Sequence, residues 1–302
     1  MPILTISNAE YHGMTKYEGS SKVRNAYKSI KEYLKPHGEP TTDQKFGTMF
    51  HSFFLEPANY EREYYFIEMS ERPNPDSTMT EGKNKQWLAN HKIIAGSREL
   101  VKSDNLERME GMRESLLSYT KGGRFPVREI MACSTFEQSY LIDEFNGVSA
   151  KCRPDIDNAL GLWDLKTCKS ASEQACIKAI ENFRYDIQAA WYIDVYEAVT
   201  GIRKPFYFMF VEKTEPFDCF IMELNEDWIE VGRRDYFKAL ERIIDYNKTK
   251  HIKGYMDYID DIFAKPETPY WVLKKAGMLG EVTLPELVSE VLSGEEDDDI
   301  EY

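Results

Sequence analysis

The spacing of apolar residues divides this 302-residue chain into a helical first part and a strand-bearing second part. Behind Ser20-Ser21, Val23, Ala26, Tyr27, Ile30 and Leu34 recur at helical intervals, predicting a capped helix that Pro36 and Gly38 end. Phe46, Met49, Phe50, Phe53 and Phe54 predict a second helix over 41–55, stopped by Pro57, with His51 inside its apolar pattern. Residues 70–85 are polar and rich in turn formers, hence a loop. Helical spacing returns from 83 to 117, and Gly122-Gly123 breaks it. Alternation then predicts strands over 136–142, 148–154 and 162–167, with turns at Glu144-Phe145-Asn146-Gly147 and 157–161. A long helix is expected over 172–200, strands over 206–212 and 217–224, and an amphipathic helix over 226–250. This order predicts an α/β fold of the α+β type, a mixed central β-sheet flanked by helices. It lacks the strict alternation and the G-x-G-x-x-G of a dinucleotide-binding fold.

A single domain is expected over 1–285. Its helical part runs to about 125, its sheet-bearing core over 126–255 and a C-terminal extension over 256–285; an acidic, disordered tail fills 286–302. Composition is that of a globular protein, 42% hydrophobic and 30% charged. The five cysteines form no C-x-x-C pair, which disfavours a zinc ribbon or an iron–sulfur cluster and suits free thiols. The first residues lack the basic and apolar regions of a signal peptide, and no apolar run is long enough for a membrane span, so a cytoplasmic protein is expected. A net charge of −14 argues against a surface that coats DNA non-specifically. Six of the acids, however, sit in Glu295-Glu296-Asp297-Asp298-Asp299 and Glu301. Net charge also says little about where cations cluster.

The candidate chemistry lies in Arg153-Pro154-Asp155-Ile156-Asp157 and Trp163-Asp164-Leu165-Lys166-Thr167. Residues two apart in a strand share a face, so Asp164 and Lys166 point together, and a hairpin turn would set Asp155 beside them. Adjacent carboxylates repel and attract a cation; Mg²⁺ takes oxygen ligands and activates water for phosphodiester hydrolysis. A nearby lysine can orient that water or offset charge on phosphorus. The same residue types also suit a turn and a strand-end ion pair. Lys151 and Arg153 flank Asp155 and could hold phosphate or face solvent; Ser20, Lys22 and Arg24 could meet DNA or simply begin a solvated helix.

Pro154-Asp155 followed by Asp164-Leu165-Lys166 resembles the PD-(D/E)xK nuclease motif, and a restriction-endonuclease-like core is the fold it implies. Gln188-Ala189-Ala190-Trp191-Tyr192 resembles the Q-x-x-x-Y motif of the RecB-like branch. Gly47-Thr48-Met49-Phe50-His51 resembles the helix carrying that branch's metal-binding His, and Glu137 matches its upstream acid. The set is similar to the RecE-type exonucleases (the exonuclease VIII family) from about residue 3 to 255, starting with Ile6-Ser7-Asn8-Ala9-Glu10-Tyr11-His12 and continuing through Leu55-Glu56-Pro57 and Cys152-Arg153-Pro154-Asp155. The resemblance implies that His51, Asp155, Asp164 and the carbonyl of Leu165 ligate Mg²⁺, with Mn²⁺ as a substitute. It gives Glu137 a second-metal or water role, Lys166 water activation, and Gln188 and Tyr192 the positioning of the strand or of Lys166. It further implies digestion of linear duplex DNA from 5′ ends, a single-strand annealing partner and a ring-forming homo-oligomer. A Cas4-like or single-strand nuclease, or a non-catalytic DNA- or partner-binding module, are the alternatives.

Overall fold

The computed structural model of the chain describes residues 3–36 and 38–259. The chain divides into two compact units, Met1–Tyr255 and Met256–Tyr302. Of the second, only residues 256–259 are described. The rest of the expected extension over 256–285, and the acidic tail 286–302, lie outside the described residues.

The helical part contains β1 (Ile3–Leu4), α1 (Asn8–Gly13), α2 (Ser20–Lys28), α3 (Ile30–Tyr33), α4 (Thr42–Leu55), α5 (Pro57–Glu63), β2 (Tyr64–Ile67), α6 (Gly82–Ala95), β3 (Glu99–Lys102), α7 (Ser103–Ser118) and α8 (Pro126–Ala132). The core follows as β4 (Thr135–Phe136), β5 (Ser139–Phe145), β6 (Val148–Cys152), β7 (Ile156–Asp157), β8 (Leu162–Cys168), α9 (Glu173–Phe183), α10 (Tyr185–Thr200), β9 (Phe206–Glu212), β10 (Cys219–Glu223) and α11 (Glu226–Thr249).

Several expected elements are divided, each for a local reason. The helix over 20–34 becomes α2 and α3 because Ser29 is extended and its hydroxyl accepts the Glu32 N–H, starting a new helix. Pro57 does not merely stop α4; it opens α5 from the first turn, where its missing N–H costs nothing. The helical run over 83–117 is interrupted by β3, which pairs in parallel with β2. The long helix over 172–200 is cut at Arg184, in the left-handed region with φ 53°. The strand over 136–142 is broken by Glu137, also left-handed with φ 51°. Its two pieces join different sheets.

The main sheet has the order β10-β9-β8-β7-β4. β8 and β9 are parallel, joined through α9 and α10; the other neighbours are antiparallel. β1, β5 and β6 form a second sheet. Its β5–β6 hairpin turns at Asn146 and Gly147, both at positive φ, as a tight turn requires. Both faces of the main sheet are covered. Leu162, Phe206, Phe208 and Phe210 pack with α2, α10 and α11, whereas Trp163, Leu165, Met209 and Val211 pack with α4, α7 and α8. Such two-sided burial accounts for the near-continuous apolar runs of β8 and β9. The aromatic run of β9 is therefore core. The architecture is a mixed α+β core, a central sheet flanked by helices, as the element order predicts. At the α10–α11 crossing a Cβ on Gly232 would stand 2.2 Å from the Asp186 carbonyl oxygen, so only glycine permits this approach.

Candidate active site

Alternation along β8 sends Asp164 and Lys166 to the α10 side of the sheet and buries the Leu165 side chain on the other. In the β7–β8 hairpin Ile156 pairs with Trp163 and Asp157 with Leu162. The residue just before β7 is Asp155, whose Oδ2 accepts the Leu165 N–H at 2.6 Å. The expected approach of Asp155 to the Asp164–Lys166 strand is thus made through the backbone. α4 brings His51 in from the other side: its Nε2 lies 2.8 Å from the Leu165 carbonyl oxygen and its Nδ1 3.5 Å from Asp155 Oδ2. The left-handed turn at Glu137 donates its N–H to the Asp155 carbonyl at 3.1 Å and turns the carboxylate inward. A residue held at positive φ without being glycine is a small strain of the kind found at functional sites.

His51, Glu137 and Asp155 each offer a ligand atom, and these atoms lie within 4.8 Å of one another. Asp164 is placed differently. It is ion-paired with Lys166 and accepts from the Gln188 amide, while Gln188 Oε1 stands 3.4 Å from Lys166 Nζ. Gln188 therefore grips both members of the pair. The Leu165 carbonyl faces His51. Tyr192, one turn further along α10, lines the pocket; burial first, then the nearby Tyr11 and carboxylates, keep its phenol protonated. Tyr185 lies three residues before Gln188 on the same helix face, with Lys166 Nζ 4.6 Å from its ring centre. The motif pattern missed Tyr185, although helical spacing from Gln188 points to it.

The carboxyls are under electrostatic stress. Burial, reinforced by Asp155, pushes Glu137 up to about 8 against the pull of Arg153. Burial, with Asp164 adding and His51 opposing, pushes Asp155 up to about 6. Burial disfavours the Lys166 ammonium, but Asp164, Tyr185 and Asp155 outweigh it and raise its pKa. Lys166 is therefore a fixed cation rather than a proton acceptor near neutrality. One imidazole, one buried carboxyl and one half-buried carboxyl, short of positive charge, fit a hard divalent cation. An open pocket of about 670 Å³ leads to them, walled by the segment 5–12, α4 and α5.

The other sequence candidates lie elsewhere or do other work. Lys151 does not present its charge to phosphate: it is buried, and its Nζ donates to the carbonyls of Tyr11 at 2.6 Å and Met14 at 3.0 Å. It fastens the N-terminal segment to β6. Ser20, Lys22 and Arg24 do not line the pocket. α2 packs through Val23 and Ala26, which buries Ser20. Lys22 stands over the Tyr33 ring, and Arg24 donates to the Phe183 carbonyl at 2.9 Å. Arg153 remains at the pocket, its Nε 2.8 Å from Glu137 Oε2.

The family described as "PDDEXK-like domain of unknown function (DUF3799)" matches residues 15–261, which contain every metal-ligating candidate above. The chain belongs to that family. This places it in the PD-(D/E)xK nuclease superfamily. A crystal structure of a candidate exonuclease from Eubacterium rectale is similar in fold, with TM-score 0.56 and 14% identity, covering 91% of this chain and 100% of that one. The alkaline exonuclease of Laribacter hongkongensis superposes with TM-score 0.25 and 16% identity over 67% of this chain and 97% of its own, an overlap too low to argue from. No curated protein matches the sequence. Among the described residues no helix is long and apolar enough to cross a membrane.

Proposed function

We propose that this PDDEXK-family protein is a Mg²⁺-dependent exodeoxyribonuclease that hydrolyses linear duplex DNA from its ends, in the 5′-to-3′ direction, leaving 3′ single strands. The observation that carries the reading is the meeting of His51, Glu137 and Asp155 within 4.8 Å, next to the Asp164–Lys166 pair. His51, Glu137 and Asp155 would hold the cation, with Asp164 beside them. When bound, the cation supplies a more acidic water and offsets the phosphate charge. Mn²⁺ suits the same donors. Hydrolysis adds water across the bond between phosphorus and the 3′ oxygen, so negative charge builds on the phosphoryl oxygens. Lys166, held positive by Asp164 and oriented by Gln188, is placed to stabilise that charge. Tyr192 remains a neutral hydroxyl at the pocket wall, able to donate to a strand.

The test is digestion of end-labelled linear duplex with Mg²⁺, compared with closed circular duplex and with chelator added. The reading expects loss of label from linear DNA only, and none with chelator. Cutting of closed circles would contradict the exonuclease assignment, and digestion in chelator would contradict the metal.

A further inference from the structure

Arg153 is 6% exposed, yet it lines the pocket that leads to the carboxyl cluster. A buried guanidinium ordinarily spends its five donors on acceptors, often as a two-pronged fork onto a carboxylate. This one does not. Its Nε stands 2.8 Å from a single Glu137 oxygen, its plane lies 5.4 Å from the Tyr11 ring centre, and Nη1 has no acceptor among the described residues. Ser52, on the α4 wall of the same pocket, is also buried, with a hydroxyl that has no partner among the described residues. A second arginine, Arg62, lines the pocket from α5. Unsatisfied buried donors are costly, and in native proteins they mark places where something else binds.

We propose that Arg153, with Ser52, forms a phosphate-binding subsite next to the cation cluster and receives a phosphate of the DNA strand being digested. The subsite rests on the nuclease reading above but adds to it a specific anchor. Arginine suits the task because its planar donor fork matches phosphate oxygens. Glu137 belongs to the cation cluster and is also ion-paired with Arg153, so one carboxylate ties the anchor to the metal site. The phosphate has two possible sources, a 5′-terminal phosphomonoester or an internal phosphodiester next to the cut. A purely structural Arg153 would only neutralise Glu137, and its loss would then disturb the metal site.

The experiment measures binding of short blunt duplexes by fluorescence anisotropy, with Ca²⁺ replacing Mg²⁺ to prevent cutting, and Mn²⁺ binding separately by calorimetry. Wild type, Arg153→Gln, Arg153→Lys and Ser52→Ala are compared on 5′-phosphorylated and 5′-hydroxyl ends. The expected result is that Arg153→Gln weakens DNA binding about tenfold or more, Arg153→Lys recovers part of it, and Mn²⁺ affinity stays within about twofold. A wild-type preference for 5′-phosphate that Arg153→Gln erases assigns the subsite to the terminal phosphate; equal weakening on both ends assigns it to an internal one. DNA binding unchanged in Arg153→Gln, or lost only in step with Mn²⁺, overturns the proposal. If wild type digests no DNA at all, the nuclease reading fails first; if it digests normally while Arg153→Gln binds as wild type, only the subsite fails.

Discussion

Two buried, acid-rich clusters in this protein have opposite electrostatic character. Where α10 meets α11, Arg184 donates to Asp186 and to Asp235, at 2.8 Å and 2.6 Å, and Arg234 and Lys238 also reach Asp235. Burial penalises the Asp235 carboxyl, but its hydrogen bonds to Arg184 and Arg234 prevail and hold its pKa below the ordinary value. Around the β7–β8 hairpin the carboxyls are largely but less deeply buried, yet Asp155 and Glu137 are pushed up to about 6 and about 8. Burial is common to both clusters; compensation is not. The first is saturated and works as a staple between helices. The second is short of positive charge, and a group that stays unsatisfied inside a fold is kept for what it binds.

That contrast can be broken in several ways. The largest effect expected is on activity: Asp155→Asn should lower DNA digestion about 10³-fold or more while circular dichroism stays native, since the loss falls on charge placement at the reacting phosphate. Native activity in that variant would remove the distinction between the clusters. Arg184→Met should do the reverse. It leaves Asp186 and Asp235 buried without their partner, and should cost about 3–5 kcal/mol of stability, read as a fall in Tm of about 10 °C, with activity per folded molecule retained.

The next effect concerns pH. Asp155 and Glu137 have folded pKa values above their ordinary 3.8 and 4.5. The folded state therefore binds more protons than the unfolded one between those limits. Stability contributed by the protonated carboxyls is full below about pH 4 and is lost as pH rises towards 8. Metal-free protein should thus lose several kcal/mol across that range, and Asp155→Asn should lose less. Stability that rises with pH over the same interval would show that the carboxyls are not stressed. Gln188→Ala gives the smallest effect, a fall in kcat of about tenfold with little change in Tm, because it frees Lys166 and Asp164 without removing either.

The sequence made the second cluster easier to find than the first. Asp155, Asp164, Lys166, Gln188 and His51 stand at spacings that a strand, a hairpin and a helix face dictate, so local periodicity suffices to bring most of them together. Glu137 was legible as an acid in sequence, but its place in the ligand cluster depends on a left-handed turn that no alternation pattern signals. The resemblance implies Asp164 as a metal ligand; that it also contacts Lys166 and Gln188 depends on which side of β8 α10 covers. Arg184 looked like the interior of one long helix. Its role depends on Asp235, 51 positions later in α10's partner helix, and on a backbone reversal, both beyond local reach. The same limit explains Lys151, whose partners are carbonyls of a distant segment rather than phosphate. The divisions at Ser29 and Pro57 depend on capping, and the interruption of the helical run over 83–117 depends on strand pairing between β2 and β3.

Calorimetric titration of Mn²⁺ into wild type and Asp155→Asn, at pH 6 and pH 8 in buffers of different ionisation enthalpy, tests the stressed cluster most directly. The account predicts one site in wild type that binds more tightly at pH 8, releases about one proton at the lower pH, and is lost in Asp155→Asn. Equal binding by the two proteins, or affinity independent of pH with no proton released, would contradict it.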